Sequence, residues 1–152
     1  LAVVLGRDAR DVPAGQTRDY IFGYTILNDV SARDVQTVHK QWYFGKSLDG
    51  FTPIGPCIVT ADAFADYPPR LGIRSFVNGE KRQDSNTALQ IFDIDHVIAE
   101  LSQGMTLKAG TIIATGTPAG VGMGMDPPQF LKPGDVVRCE IDGIGTLTNP
   151  VR

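Results

Sequence analysis

Glycine and proline recur along the whole chain, 17 and 10 times in 152 residues, and cut it into short apolar runs. Long helices do not survive such punctuation, because proline removes a backbone donor and glycine supplies positive φ wherever the chain must turn. The runs between are of strand length and rich in Val, Ile, Thr and aromatic residues, so the expected class is α+β and mostly β. Ile21 to Val30 is apolar on both alternating faces, with Phe22, Tyr24 and Ile26 against Thr25 and Leu27, which is the pattern of a central strand covered on both sides. Leu71, Ile73, Ser75 and Val77 alternate with Gly72, Arg74 and Phe76 up to Asn78-Gly79, a pair that accepts φ > 0 at both turn positions and favours a tight hairpin. The same logic applies at Asp142-Gly143, where Val137, Cys139 and Ile141 face one way, Arg138 and Glu140 the other, and Ile144 to Leu147 returns. Leu1 to Gly6 is a run of strand formers without a polar entry. The chain therefore reads as opening inside a strand, with an upstream segment expected and an exposed sheet edge in its absence.

Two helices interrupt this background. The first starts at Ser31, whose side chain can cap the turn while Asp34 completes a capping box. The second spans Ile94 to Gln103, with Ile94, Val97, Ile98 and Leu101 on one face and Gly104 as an αL stop. At 42% hydrophobic residues the chain can build one buried core, and no repeat or linker divides it. Lys plus Arg number 14 and Asp plus Glu 17, and neither sign gathers into a run, so nucleic acid is not an expected partner. Apolar stretches such as Thr111 to Ala114 are far short of a membrane span. Cys57 and Cys139 lie in no Cys-x-x-Cys or Cys/His cluster and read as buried thiols, which suits a reducing, cytoplasmic compartment.

Polar residues crowd where the central strand runs into the first helix, over Asn28-Asp29-Val30-Ser31-Ala32-Arg33-Asp34-Val35-Gln36. Asp29 falls on the same strand face as Leu27 and Thr25, and a carboxylate that close to an apolar strand centre needs a cation or several donors. Arg33 and Gln36 share a helical face and can point toward whatever Asp29 addresses. A structural Asp29–Arg33 bridge would leave the same pattern. Downstream, Lys46 stands among aromatic and glycine residues in Gln41-Trp42-Tyr43-Phe44-Gly45-Lys46-Ser47. A lysine so placed can move a proton or face an oxyanion, or its stem can simply pack on Trp42. Thr115-Gly116-Thr117-Pro118-Ala119-Gly120-Val121-Gly122 follows an apolar strand but lacks the Gly-Lys-Ser/Thr ending of a P-loop and a following amphipathic helix. It suits the offer of the Thr117 hydroxyl and backbone N–H groups to an enolate or carboxylate, or is a turn that needs glycine. His39 and His96 have no partner at metal-ligand spacing and read as surface or helix-end residues.

Taken in order, Gly23 to Gln36, Gly45-Lys46-Ser47 and Thr115 to Gly122 resemble the fumarylacetoacetate hydrolase family, and Phe130 to Asp135 with Ile141 to Leu147 resemble that family's C-terminal hairpin. The resemblance covers the whole chain and implies a catalytic domain over residues 1–152, truncated at its N-terminal side. It implies a mixed β-roll or sandwich with short helices, assembled as a homodimer. It implies a metal-dependent enzyme that acts on small 2-oxo or 1,3-dioxo acids through a metal-stabilised enolate, by C–C hydrolysis, decarboxylation or isomerisation. The metal would be Mg²⁺, or Mn²⁺ or Ca²⁺, held by a Glu-x-Glu pair and one aspartate, and the matching aspartate is Asp29. Lys46 would be the catalytic lysine, with Arg33, Gln36, Gly116 and Thr117 lining the substrate pocket. Gln41-Trp42, Asp49-x-Phe51 and Pro53-x-Gly55-Pro56 lean toward bacterial hydroxymuconate isomerases, hydratases and acylpyruvate hydrolases of aromatic catabolism. The family's Glu-x-Glu precedes the strand that opens here as Leu1 to Gly6, so neither glutamate lies in these residues, nor does the His-Glu pair that many members carry on a lid. A non-catalytic fragment or pseudoenzyme that keeps the fold for binding or dimerisation is the competing expectation.

Overall fold

The computed structural model describes residues 1–152, except that the side chain of His39, read above as a surface or helix-end residue, lies outside the described residues. Eight strands form two four-stranded sheets, and every ladder between them is antiparallel. In the first sheet the order is β3 (Ile54–Thr60), β2 (Ile21–Leu27), β1 (Ala2–Leu5), β6 (Ile112–Ala114). In the second it is β5 (Glu80–Asn86), β4 (Gly72–Val77), β7 (Val136–Ile141), β8 (Gly145–Pro150). Two α-helices, α1 (Arg33–His39) and α2 (Ile94–Ser102), complete a mostly β, α+β fold.

One core draws on both sheets and α2: Leu1, Val3 and Leu5, Tyr24 and Ile26 from β2, Ile141 from β7, and Ile94 and Ile98 from α2. β1 is covered on both faces, since Ala2 and Val4 are buried as well. Hydrogen bonding closes both its edges too, with Val3 opposite Tyr24 on one side and Ile113 on the other. The exposed edge expected at the opening strand is therefore absent: β1 lies inside its sheet, and β3 and β6 are the outer strands. Ile98 is fully buried, and burial of such a side chain is worth about 1.5–3 kcal/mol.

Helix α2 matches its expected face, with Ile94 and Ile98 buried and Gly104 at φ 84°. Its start adds a cap that was not anticipated, for the Asp93 side chain accepts from the His96 amide at 2.8 Å. Exposed His96 stacks on Phe92 with ring centroids 4.8 Å apart. Asn78 and Gly79 have φ 52° and 84°, which makes the β4–β5 hairpin the tight turn that the dipeptide predicts. The β7–β8 turn differs. Ile141 pairs with Gly145, so Asp142, Gly143 and Ile144 form a three-residue loop in which Gly143, at φ 75°, is the residue of the three that takes positive φ. Ile144 is buried at the turn, which pulls the return strand one residue later than the pattern suggests. The Ser31 capping box does not form: α1 begins at Arg33 with Ala32 as its cap residue and no side-chain cap bond. The Ser31 hydroxyl is already donated to the Asp29 carbonyl, at 3.1 Å. Cys57 is exposed rather than buried, because it lies on the outer strand β3.

Candidate functional site

Strand β2 leaves its sheet at Leu27, and the Asn28 amide then donates to Pro53 O at 3.0 Å instead of to a strand neighbour. Asp29 thus stands beyond the strand end, exposed, and not on the buried face beside Thr25. What meets it is decided by Gly45. A Cβ at that position would lie 2.9 Å from Ala32 O and from the Gln36 amide nitrogen, so only glycine lets the 3-10 turn Phe44–Lys46 settle on the first turn of α1. The Ala32 amide seals this contact by donating to Gly45 O at 2.8 Å. Lys46, one residue on, then directs its Nζ onto Asp29 Oδ2 in a hydrogen-bonded ion pair. Its side chain is 28% exposed and that of Asp29 43%, so the pair stays within reach of a ligand.

Arg33 takes no part in that pair, contrary to the bridge considered from sequence. Its Nη1 donates to Gln36 Oε1 at 3.0 Å, and both side chains line a cleft of about 380 Å³ with Trp42 and Met123. Trp42 is 68% exposed and forms a wall of the cleft. Met123 brings the glycine-rich loop to the helix.

That loop leaves β6 and is pinned to the second sheet. Gly116 and Gly120 have φ 100° and 104°, and a Cβ on Gly120 would sit 2.0 Å from Arg82 O. Thr117 is exposed and its Oγ1 accepts from Gln83 Nε2 at 2.8 Å. Arg82 donates from Nη1 to Met125 Sδ at 3.0 Å and to Gln129 Oε1, which fastens the far end of the loop. The chain thus joins Asp29 to Lys46 and Arg33 to Gln36, while Gly116 and Thr117 belong to a loop held by β5. Sequence reasoning passed over Gln83 and Arg82. Counting back from the Asn78-Gly79 turn sets Arg82 opposite Ser75, and the register shift between Ser75 and Phe76 brings Gln83 there instead, so no sequence signal marked Gln83.

Among the described residues no group of three or more His, Cys, Asp or Glu side chains could hold a metal ion. Asp29 is a single carboxylate already engaged by Lys46. Hard divalent cations take six or more oxygen ligands and draw their affinity from several carboxylates. The side chains of residues 1–152 taken alone do not fit such a cation.

Known proteins resemble this chain over its whole length. Oxaloacetate tautomerase YisK of Bacillus subtilis is 49% identical over 151 residues, 99% of this chain and 50% of that protein. The mitochondrial oxaloacetate tautomerase fahd2 of Xenopus laevis is 48% identical over 153 residues, covering 99% of this chain and 48% of its own. The chain spans about half the length of the relatives it matches. Among solved structures, a fumarylacetoacetate hydrolase from Exiguobacterium antarcticum superposes with a TM-score of 0.96 at 50% identity, over 99% of this chain and 54% of the other. A 2-hydroxyhepta-2,4-diene-1,7-dioate isomerase from Mycobacterium marinum gives 0.86 at 48% identity, over 98% and 55%. The fumarylacetoacetate (FAA) hydrolase C-terminal family matches residues 1–152 from end to end, and the chain belongs to that family of enzymes.

Proposed function

We propose that the intact protein moves a proton on small 2-oxo or 1,3-dioxo acids, with keto–enol tautomerisation of a 2-oxo diacid such as oxaloacetate as the first choice. The observation that carries this reading is the Lys46–Asp29 ion pair, which follows Gly45 where that glycine packs on α1, the helix whose Arg33 and Gln36 line the cleft. An ammonium donor next to a carboxylate can pass a proton between carbon and oxygen, or face the enolate oxygen as charge develops there. Arg33 supplies a planar fork suited to a substrate carboxylate, and Gln36 fixes the direction of that fork. Thr117 and the backbone at Gly116 would address a second carboxylate. Two relatives from a bacterium and a frog that carry the tautomerase name support this choice over hydrolysis, which needs an activated water besides.

A divalent cation, Mg²⁺ or else Mn²⁺ or Ca²⁺, is part of the proposal through the family resemblance, and Asp29 is the residue of this chain that would ligate it. Its other carboxylates would come from outside residues 1–152, and none of the proton transfers above runs through it. Cytoplasmic location and a homodimer complete the proposal. The test is the rate of enol–keto equilibration of oxaloacetate by full-length protein, followed by ultraviolet absorbance with and without Mg²⁺. Cleavage of acylpyruvates without any effect on that rate would replace tautomerase by hydrolase. Inertness toward both would favour the non-catalytic reading.

A further inference from the structure

Gln83 lies on β5 directly opposite Ser75 of β4, and its side-chain amide reaches three partners. Nε2 is 2.8 Å from Pro118 O and 2.8 Å from Thr117 Oγ1, and Oε1 is 2.7 Å from Ser75 Oγ. A carbonyl only accepts, so the edge of the amide that faces Pro118 must be its NH₂. That fixes the amide's orientation without reference to Thr117. The opposite edge is then a carbonyl, and Ser75 is the donor to it. Both NH₂ hydrogens are spent, one on Pro118 O and one on Thr117 Oγ1.

The consequence falls on Thr117. A hydroxyl has one hydrogen to give and two lone pairs. With Gln83 donating into one lone pair, the Thr117 hydrogen cannot return to Gln83 and is directed away from β5, on a residue that is exposed. We propose that Gln83 is a positioning residue that sets the polarity of the Thr117 hydroxyl, so that Thr117 meets the carboxylate or enolate of the substrate as a donor. Ser75 holds Gln83 in that orientation from across the hairpin, and the chain of donation runs Ser75 to Gln83, then Gln83 to Thr117, then Thr117 to the substrate oxygen. This rests on the reading of Thr117 as a substrate contact and deepens it. A donor aligned before binding avoids the ordering that a freely rotating hydroxyl would undergo on complex formation.

The test is a double-mutant cycle on full-length protein with oxaloacetate, recording KM and kcat separately and the melting temperature without substrate. Thr117→Val should raise KM about tenfold through loss of a hydrogen bond to an anion. Gln83→Met keeps the length of the side chain without its amide and should raise KM roughly fivefold with kcat and melting temperature little changed. In the Thr117→Val background Gln83→Met should add nothing, and in the Thr117→Ser background its effect should return. If Gln83→Met does not fold, Gln83→Glu enters the same cycle, since an ionised carboxylate accepts from Thr117 and turns the hydroxyl away from the substrate. Equal effects of the Gln83 variant in the wild-type and Thr117→Val backgrounds would overturn the proposal, for Gln83 would then act on the loop and not on the hydroxyl. A raised KM for Thr117→Val with a silent Gln83→Met would overturn it while leaving Thr117 as a substrate contact. An unchanged KM for Thr117→Val, or a wild-type protein inert toward oxaloacetate, would overturn the underlying reading and the proposal with it.

Discussion

Lys46 and Asp29 meet where both side chains are still partly wet, 28% and 43% exposed. Ion pairs in such surroundings contribute about 0–1 kcal/mol to stability, because water solvates each partner nearly as well and ordering the lysine costs entropy. Deleting the charge should therefore be nearly silent in unfolding and loud in turnover. For Lys46→Met in the full-length protein we expect kcat to fall by about 10²- to 10⁴-fold, with a melting temperature within about 3 °C of wild type. Turnover retained with a large drop in melting temperature would assign Lys46 to packing. Asp29→Ala should likewise leave the fold in place while it removes Mn²⁺ binding in isothermal titration of the full-length protein, and an unchanged affinity would contradict the metal-ligand assignment. Arg33 and Gln36, three apart on α1 and hydrogen-bonded at 3.0 Å, were legible in the sequence because helical spacing alone makes them neighbours. Asp29 and Lys46 were not legible as a pair. They are 17 residues apart, and nothing in the intervening pattern shows the chain folding back on itself.

What folds it back is one element settling on another. Gly45 lets the 3-10 turn Phe44–Lys46 approach the first turn of α1 to a distance that no side chain allows. Gly45→Ala should cost about 1–3 kcal/mol by overpacking against Ala32 and Gln36, and should lower kcat further than its stability loss explains, since Lys46 moves with the turn. Chemical denaturation and turnover of the same full-length preparation check both halves. Elements whose cause is local were readable in advance. The Asn78-Gly79 hairpin follows from two residues that tolerate positive φ, and α2 follows from Ile94 and Ile98 recurring on one face. Elements whose cause is tertiary were not. Ser31 fails to cap α1 because its hydroxyl bonds to Asp29 O, and Asp29 leaves the strand face because β2 ends at Leu27. Gln83 was hidden for the same reason, since its partner Thr117 is 34 residues away and arrives only when the glycine loop packs on β5.

Taken whole, the molecule keeps both of its most perturbed phenols in or beside the core. Burial pushes Tyr24 and Tyr67 up to about 12, with mutual repulsion adding to it for Tyr24 and the hydroxyl of Thr17 opposing it for Tyr67. The folded state thus holds these protons to higher pH than the unfolded chain, whose phenols titrate near 10. Their contribution is intact below about pH 10 and is lost as the pH rises through about 12. Urea midpoints should decline over that interval, and Tyr24→Phe should flatten the decline. The proposed metal site also belongs to this scale: with Asp29 alone, residues 1–152 should bind Mn²⁺ more weakly than about 1 mM in calorimetry, whereas the full-length protein should saturate. Strand β1 has a further consequence, in time rather than in space. Leu1 and Thr115, which are hydrogen-bonded, stand 114 residues apart, so β1 can pair early with β2 but must wait for β6 to be synthesised. At about 5–20 residues per second that wait lasts roughly 6–23 s, during which one side of an apolar strand is open to any other chain. Ribosome-bound chains arrested before Ile112 has left the exit tunnel should be cleaved readily at β1 by added protease, and chains arrested after Gly122 has emerged should resist, which makes the closing of this sheet an event that translation schedules.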